Sequence, residues 1–481
     1  MKRLMAMILA LAMVLSLAAC AGPGEETQAP TQAPQTQAPQ TQAPQTQAPE
    51  TEAPTEEVKG DPVYIAPNAE EITGEINFYT VWAPEIGTGA MIEEFNKYYP
   101  NVKVTSTAYK NTEDGNIAAD TAMMAGEVDV LLSFNLANTS RRWENGLLMD
   151  ITDRLAADNL DLVTEWGTDA YQYKDRVYAF PSGGISLYVI INLDLWEKAG
   201  MGELPTEWTW DEYFEACRKL TQKDAEGNII YGGSDYNSTE YWFWPAYQVK
   251  GSNAFYKEDG TADLDNPLYA EIMTMWRDAT EEGIIHPRAL YVSDNVQSRV
   301  KFYQGKNATS IGVIEARPSY FTQYNPTFRV GFAPYPTMEK GQENYLIAPA
   351  PNSFLCISEN TKYPEAAYAF AKFCATYGNK YMYVGGHAAN WKGIDPMEAI
   401  TVAYGSREEA EKLLDVDSYI KYVLGIGAEV SYSDTFVDGW ATIFNTLREY
   451  ITYVISDGMD VEDAIEEMQL EANDAIAEAQ R

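Results

Sequence analysis

Histidine and cysteine are nearly missing from this 481-residue chain, which has 2 His and 4 Cys. Zinc sites draw on clustered His and Cys, and small secreted scaffolds on many disulfides, so the composition argues against both. Basic residues are scarce too, 34 against 71 acidic, for a net charge of −37. Such a surface repels phosphate backbones and anionic lipid faces, which argues against a nucleic-acid partner. After the first 20 residues no run of about 18 apolar residues occurs, so no membrane-spanning helix is expected. The patterns G-x-x-x-x-G-K-S/T, G-x-S-x-G and H-E-x-x-H and the Rossmann glycine set are absent as well. No cofactor, metal or catalytic residue is therefore expected, and the chain reads as a protein that is not an enzyme. What is abundant is aromatic: 11 Trp, 33 Tyr and 16 Phe. The length allows two or three domains of roughly 150 residues each.

Residues 1–19 place Lys2 and Arg3 before a mostly apolar stretch, Leu4 to Ala19, the pattern of a secretory signal. Leu17-Ala-Ala-Cys20 resembles the lipobox of bacterial lipoproteins, which implies cleavage before Cys20, lipidation of Cys20 and membrane attachment through that lipid only. The alternative is an ordinary signal with an incidental cysteine. Cleavage removes Lys2 and Arg3 and no acid, so the charge moves from −37 to −39. Residues 20–60 read as the lipidated cysteine and a disordered linker, in which Thr-Gln-Ala-Pro begins at Thr27, Thr31, Thr36, Thr41 and Thr46 and Thr-Glu-Ala-Pro at Thr51. Such a segment buries too little apolar surface to offset its ordering entropy. Roughly 38 residues of it reach about 35 Å as a coil and about 120 Å as a polyproline helix.

Ordered sequence begins near Pro62. In Glu75-Ile-Asn-Phe-Tyr-Thr-Val-Trp82 the side chains of Ile76, Phe78, Thr80 and Trp82 share one side, which predicts a strand. Helices are predicted at about 87–99 and 118–125, and strands at 102–104, 128–134 and 187–192, with another near Ile229. Thr209-Trp-Asp-Glu212 reads as a capping box opening a helix, with Trp210 as a structural plug, and the last 20 residues read as an amphipathic closing helix. Strands alternating with helices predict parallel sheets, whose ligands bind beyond the carboxyl ends of the strands. The loop after Trp82 and the segment Ser133-Phe-Asn135 are therefore expected pocket walls. Asp224-Ala-Glu-Gly-Asn228 reads as a turn between helix and strand. Cys217, Cys356 and Cys374 read as buried thiols, with a Cys356–Cys374 bridge as the alternative.

The order of several motifs then carries a resemblance: Met91-Ile-Glu-Glu-Phe-Asn-Lys-Tyr-Tyr-Pro100, Met124-Ala-Gly-Glu-Val-Asp-Val130, Tyr178-Ala-Phe-Pro181, Ile191-Asn-Leu-Asp-Leu-Trp-Glu-Lys-Ala-Gly200, Trp208-Thr-Trp-Asp-Glu-Tyr213 and Phe302-Tyr-Gln-Gly-Lys306. Together they resemble the extracellular solute-binding proteins of ABC importers, in the sugar-binding family of the maltose-binding type, over nearly all of residues 75–480. The resemblance implies an α/β, periplasmic-binding-protein-like fold, with two α/β lobes, three crossover hinge segments and a ligand cleft between the lobes. It assigns residues 61–182 and 312–383 to the N-terminal lobe and 183–311 and 384–481 to the C-terminal lobe. The crossings fall near Pro181 to Ile185, Ile311 to Val313 and Tyr383 to Gly386. Gly183-Gly184 and Gly385-Gly386 sit at two of them, as hinge glycines or as ordinary turns.

A sugar offers apolar faces and a rim of hydroxyls, so its site needs aromatic platforms and planar polar groups. By position in the resemblance, the ligand-binding candidates begin with Trp82 and Glu85 after the first strand and Ser133 and Asn135 after the third, where the family's stacking Trp and acidic contact are missing. Tyr241 falls on a family stacking tyrosine. Within Glu240-Tyr-Trp-Phe-Trp-Pro245, strand alternation would turn only one aromatic pair toward the cleft, and Tyr241 and Trp242 are the candidates. Glu315 and Arg317 stand where relatives stack a Trp, and Asn390, Trp391 and, more weakly, His387 follow the last crossing. Trp440 stands at another stacking position. For each aromatic the competing role is core packing, and for Glu315 and Arg317 it is a surface ion pair. The expected protein is a monomer held at the extracellular face of a bacterial membrane, whose partners are a carbohydrate and ABC permease subunits. The alternatives are the same fold binding a peptide or another polar solute, and a surface glycoside hydrolase.

Overall fold

The computed structural model describes residues 64–167, 172–173, 175–235, 242–294, 296–313, 316–346, 350–425, 428 and 440–479. Residues Gly60–Arg481 form one compact unit. The signal, Cys20 and the repeat lie outside the described residues, as do Tyr241 and Glu315 and the side chain of Trp440.

The first sheet starts with β1 (Gly74–Thr80), β2 (Val102–Ala108) and β3 (Val130–Phe134). Alternation in β1 buries Ile76, Phe78 and Thr80 as the sequence predicts. The helix Thr88–Tyr98 presses Met91 and Phe95 onto that face, where Phe95 lies 5.1 Å from Phe370 of the helix Pro364–Ala375. The second helix begins at Glu113, five residues before the predicted start, because the Thr112 hydroxyl caps it by accepting from the Gly115 amide at 3.2 Å. After the ribbon of β4 (Gln172–Tyr173) and β5 (Arg176–Val177), β6 (Ala179–Pro181) reaches the far side of the sheet, whose order is β2-β1-β3-β14-β6 with β14 at Ser353–Ile357. Strands β1, β2 and β3 run parallel, while β14 runs antiparallel to both β3 and β6.

The chain then leaves through β7 (Gly183–Ile185) for β8 (Tyr188–Asn192), the centre of the second sheet. A ribbon follows from β9 (Gln222–Lys223) and β10 (Ile229–Ile230), joined by a turn that Asp224 organises by accepting from the Asn228 amide at 2.8 Å. This corrects the expectation of a helix-to-strand turn, because the helix Trp210–Leu220 ends before β9. Strands β11 (Thr309–Gly312) and β12 (Val330–Pro334) flank β8, both antiparallel to it, whereas Tyr231 bridges in parallel to Asn307, just before β11, and Gly233 to Ile285. The expectation of wholly parallel sheets is thus corrected in both lobes. Strands delivered by the crossings enter from the opposite end, and only the strands joined by local helices are parallel.

The position of the return crossing is corrected as well. Strand β8 is buried on both faces and needs hydrogen-bond partners on both edges, and β12 supplies the second. Residues 316–346 therefore stay with the second sheet, where Tyr335 and Leu346 join its core. The chain changes sheets at β13 (Ala350–Pro351), which leads directly into β14. Strands β13, β7 and β15 (Ala388–Ala389) pair antiparallel as a small sheet made of the three crossing segments. The result is two α/β lobes, with apolar clusters packed on both faces of each large sheet.

The second core is aromatic. Trp210 is buried against Trp276 at 5.2 Å, Tyr335 at 5.0 Å and Tyr213 at 5.6 Å; such pairs contribute about 0.5–1.5 kcal/mol each beyond area burial. Residues 242–244 form a 3-10 turn instead of a strand, and Trp242, Phe243 and Trp244 are all buried, so the expected alternation does not hold. Helix formation sets in at Pro245, which favours the first turn of a helix. Cys217, Cys356 and Cys374 are buried free thiols, so there is no Cys356–Cys374 bridge, and burial pushes Cys217 and Cys356 up to about 12.

The capping box is formed. The Thr209 hydroxyl accepts from the Glu212 amide at 3.3 Å, and the Thr209 amide donates to Glu212 Oε2 at 2.9 Å. Thr209→Ala should cost about 1 kcal/mol, read as a lower urea midpoint with an unchanged slope.

Candidate functional site

Strand β1 ends where the Thr80 hydroxyl accepts from the Trp82 amide at 3.2 Å. This turn swings the Trp82 ring against Phe134, at the end of β3, with ring centroids 6.2 Å apart. The Trp82 ring also meets His387 at 5.0 Å, and Phe134 meets His387 at 5.8 Å, so the three rings form a triangle. Gly385 makes this possible, because a Cβ there would stand 2.7 Å from the Trp82 ring. Trp82 is buried, whereas Glu85 is exposed in the following turn, Pro84–Ile86.

Arg317 reaches the same place from the second lobe. Its Nε donates to the Gly385 carbonyl at 2.6 Å, and its guanidinium lies 5.2 Å from the centre of the Tyr320 ring. Trp82 and Arg317 thus converge, with His387, on the last crossing. His387 is 8% exposed and its Nδ1 has no hydrogen-bond partner. Burial, and secondly the positive charge of Arg317, push its pKa down to about 3.

The other candidates divide by what they touch. The Ser133 hydroxyl accepts from Nη1 of the fully buried Arg142 at 2.6 Å and contacts the Thr139 hydroxyl at 2.8 Å, while Arg142 Nε donates to Asp120 at 2.5 Å. Ser133 is therefore committed to an internal network. Asn135 is exposed at φ 59° and caps the helix Leu136–Glu144, accepting from the Asn138 amide at 2.9 Å. Its own amide donates to the Asn352 carbonyl at 2.8 Å, beside β13. The Asn390 amide donates to the Ser182 carbonyl at 3.0 Å, which binds the third crossing to the first. Trp391 Nε1 donates to Glu165 Oε2 at 2.8 Å, and the Tyr64 hydroxyl donates to Oε1 of the same carboxylate at 2.6 Å. Trp391 packs against the cores of both lobes, so its ring works as a brace. Trp242 lies 4.8 Å from Trp276 in stacked geometry inside the second core.

The sequence reading missed Asp235 and Arg288. Asp235 follows residues 231–234 at their carboxyl end, and the strand-end rule that singled out Trp82 applies to it equally. It is buried, accepts a hydrogen bond from the Tyr291 hydroxyl and has Arg288 Nη1 at 3.5 Å. Burial raises its carboxyl above the usual range, against the pull of Arg288. A separate open groove of about 480 Å³ lies wholly on the second lobe, between Trp196 and Lys219. Among the described residues, no group of three or more His, Cys, Asp or Glu side chains converges as metal ligands.

Histidine burial gives the fold a pH signature. His387 is held neutral when folded but titrates near 6.5 when unfolded, so the unfolded state binds the extra proton between those values. This contribution is complete above about pH 7 and falls as the pH drops, costing about 2 kcal/mol by pH 5. His286 is shifted the same way by burial. Urea unfolding at the two pH values should show a smaller loss for His387→Leu than for the unsubstituted protein.

Comparison with known proteins agrees with this architecture. The family model of bacterial extracellular solute-binding proteins matches residues 86–381. Binding proteins of Brucella abortus and Brucella suis are 24% identical over 172 residues, 34% of this chain and 39% of theirs, so the chain matches well under half the length of these curated relatives. A sugar transporter structure from Rhizobium etli in an open conformation is similar with a TM-score of 0.68 at 17% identity, covering 83% of this chain and 99% of that one. An ABC substrate-binding protein of Listeria monocytogenes in complex with cycloalternan gives 0.67 at 19% identity, covering 84% and 99%. The maltose/maltodextrin-binding domain of Bdellovibrio bacteriovorus bound to maltotriose gives 0.60 at 17%, covering 84% and 100%. At these identities the structures establish a shared periplasmic-binding-protein-like fold. With more than half of its length matched by the family model, the chain belongs to the bacterial extracellular solute-binding proteins.

Proposed function

We propose that the protein is the lipid-anchored receptor of an ABC importer, one that captures a carbohydrate, an oligosaccharide by its fold relatives, and delivers it to the permease subunits. The observation that carries the reading is the convergence of Trp82 and Arg317 on the last crossing, at the carboxyl ends of the first sheet and beside the three-stranded crossing sheet. An aromatic ring next to a planar donor suits the apolar face and hydroxyl rim of a sugar. Sheet membership supports a lobe division of residues 64–182 with 353–383 against 183–349 with 384–479.

Closure in this reading is a population shift. A ligand that touches both lobes binds the closed state better and draws the protein into it, by no more than that difference in affinity. Titration with a broad carbohydrate panel should shift or quench Trp fluorescence and shrink the radius of gyration in X-ray scattering, without hydrolysis of the sugar. A panel that produces neither effect sinks the carbohydrate reading, and detectable turnover would turn it toward a glycoside hydrolase.

Anchoring rests on Leu17-Ala-Ala-Cys20 and the repeat that follows. In a bacterial host the protein should fractionate with membranes and take up labelled fatty acid, while Cys20→Ser should lose the label and appear in the medium. Equal labelling of the two would rule out Cys20 as the anchor.

A further inference from the structure

His387 carries a feature that packing does not explain. It sits on the last crossing, beside Gly386 at φ 81°, with its ring against both Trp82 and Phe134 of the first lobe. Its Cβ lies 3.4 Å from where a Gly183 Cβ would stand, so it is enclosed by the first crossing as well. Arg317, from the second lobe, fixes the same loop through the Gly385 carbonyl. The ring is more than nine-tenths buried, and Nδ1 finds no partner. An apolar side chain of similar size would fill this space without leaving a buried polar atom unsatisfied, which ordinarily destabilises a fold. The surroundings are also the ones that a ligand must reach, since first lobe, second lobe and crossing meet around this one ring.

We propose that His387 is a ligand-contacting residue of the cleft, whose spare ring nitrogen is satisfied by a hydroxyl of the bound sugar. This rests on the carbohydrate reading above and sharpens it. A neutral imidazole offers one donor and one acceptor, which a hydroxyl, itself a donor and an acceptor, matches on either ring nitrogen. Trp82 supplies the apolar face beside it. Because Arg317 comes from the second lobe, closure would cover the ring together with the hydroxyl that it holds.

The test uses the full chain and the best uncharged oligosaccharide from the panel, with affinity measured by calorimetry and melting measured without sugar. His387→Leu is close in volume, and His387→Phe keeps the ring contacts. Both should bind about ten- to a hundredfold more weakly, while at least one of them melts no lower than the unsubstituted protein. His387→Asn or His387→Gln should recover much of the affinity, because their amides stand near the positions of Nδ1 and Nε2 respectively. Unchanged affinity in both apolar variants overturns the proposal. Melting below the unsubstituted protein in both of them also overturns it, because the nitrogen is then satisfied within the fold. If the unsubstituted protein binds no carbohydrate, the functional reading falls and this inference with it; if it binds sugar and the apolar variants bind equally well, this inference alone falls.

Discussion

The backbone of Gly183 is the point on which the two lobes depend. Its amide donates to the Ser353 hydroxyl at 2.8 Å, its carbonyl accepts from the Asn352 amide at 2.9 Å, and the neighbouring Ser182 amide donates to the Ser353 carbonyl at 2.9 Å. Outgoing and returning crossings are thereby held edge to edge, and Ala388 and Ala389 close the other side. A side chain at 183 would place its Cβ 2.8 Å from the Ser353 hydroxyl and 2.9 Å from the Met382 methyl, so it would have to push both of them aside. Because Trp82 and His387 lean on the same crossings, the geometry of the candidate site follows from this backbone pairing.

The acidic excess has a structural counterpart. Cations are scarce, yet several stand inside the fold as clamps: Arg142 on Asp120, Lys372 on Asp158 at 2.7 Å, and Lys380 on Glu398 at 2.7 Å with its ammonium 3.7 Å from the centre of the Tyr377 ring. Removal of one partner from such a pair leaves a buried charge uncompensated, which costs far more than the pair contributes over an apolar replacement. The clamps therefore fix which elements meet more than they add to stability. Arg142 is the plainest example, since it ties β3 to the helix Glu113–Met124 and engages the Ser133 hydroxyl.

Much of the first lobe was legible in the sequence, because β1, its following helix and β3 are local elements whose periodicity announces the buried face. The capping box at Thr209 and the closing helix, observed at Val461–Ala479, were legible for the same reason. The site was legible only in part. Trp82 and Arg317 converge with His387, but Trp391 is held by Glu165 from 226 positions away, a partner that no local pattern reveals. Asp235 was overlooked because its burial depends on Tyr291 and Arg288, which approach it from a later helix.

The sequence by itself determined the elements, the family and the short supply of chemistry-bearing side chains, since these depend on residue type and on spacings of a few residues. Tertiary structure decided which aromatics are core and which stand at the crossing, because a ring's neighbours come from distant segments. It also decided where the chain returns to the first lobe, through the second edge that β8 had to fill. The aromatic wealth resolves accordingly. Trp242 and Trp210 are spent on the second core, and Trp82, itself buried in the first core, is set against the last crossing by a glycine whose missing Cβ leaves room for it.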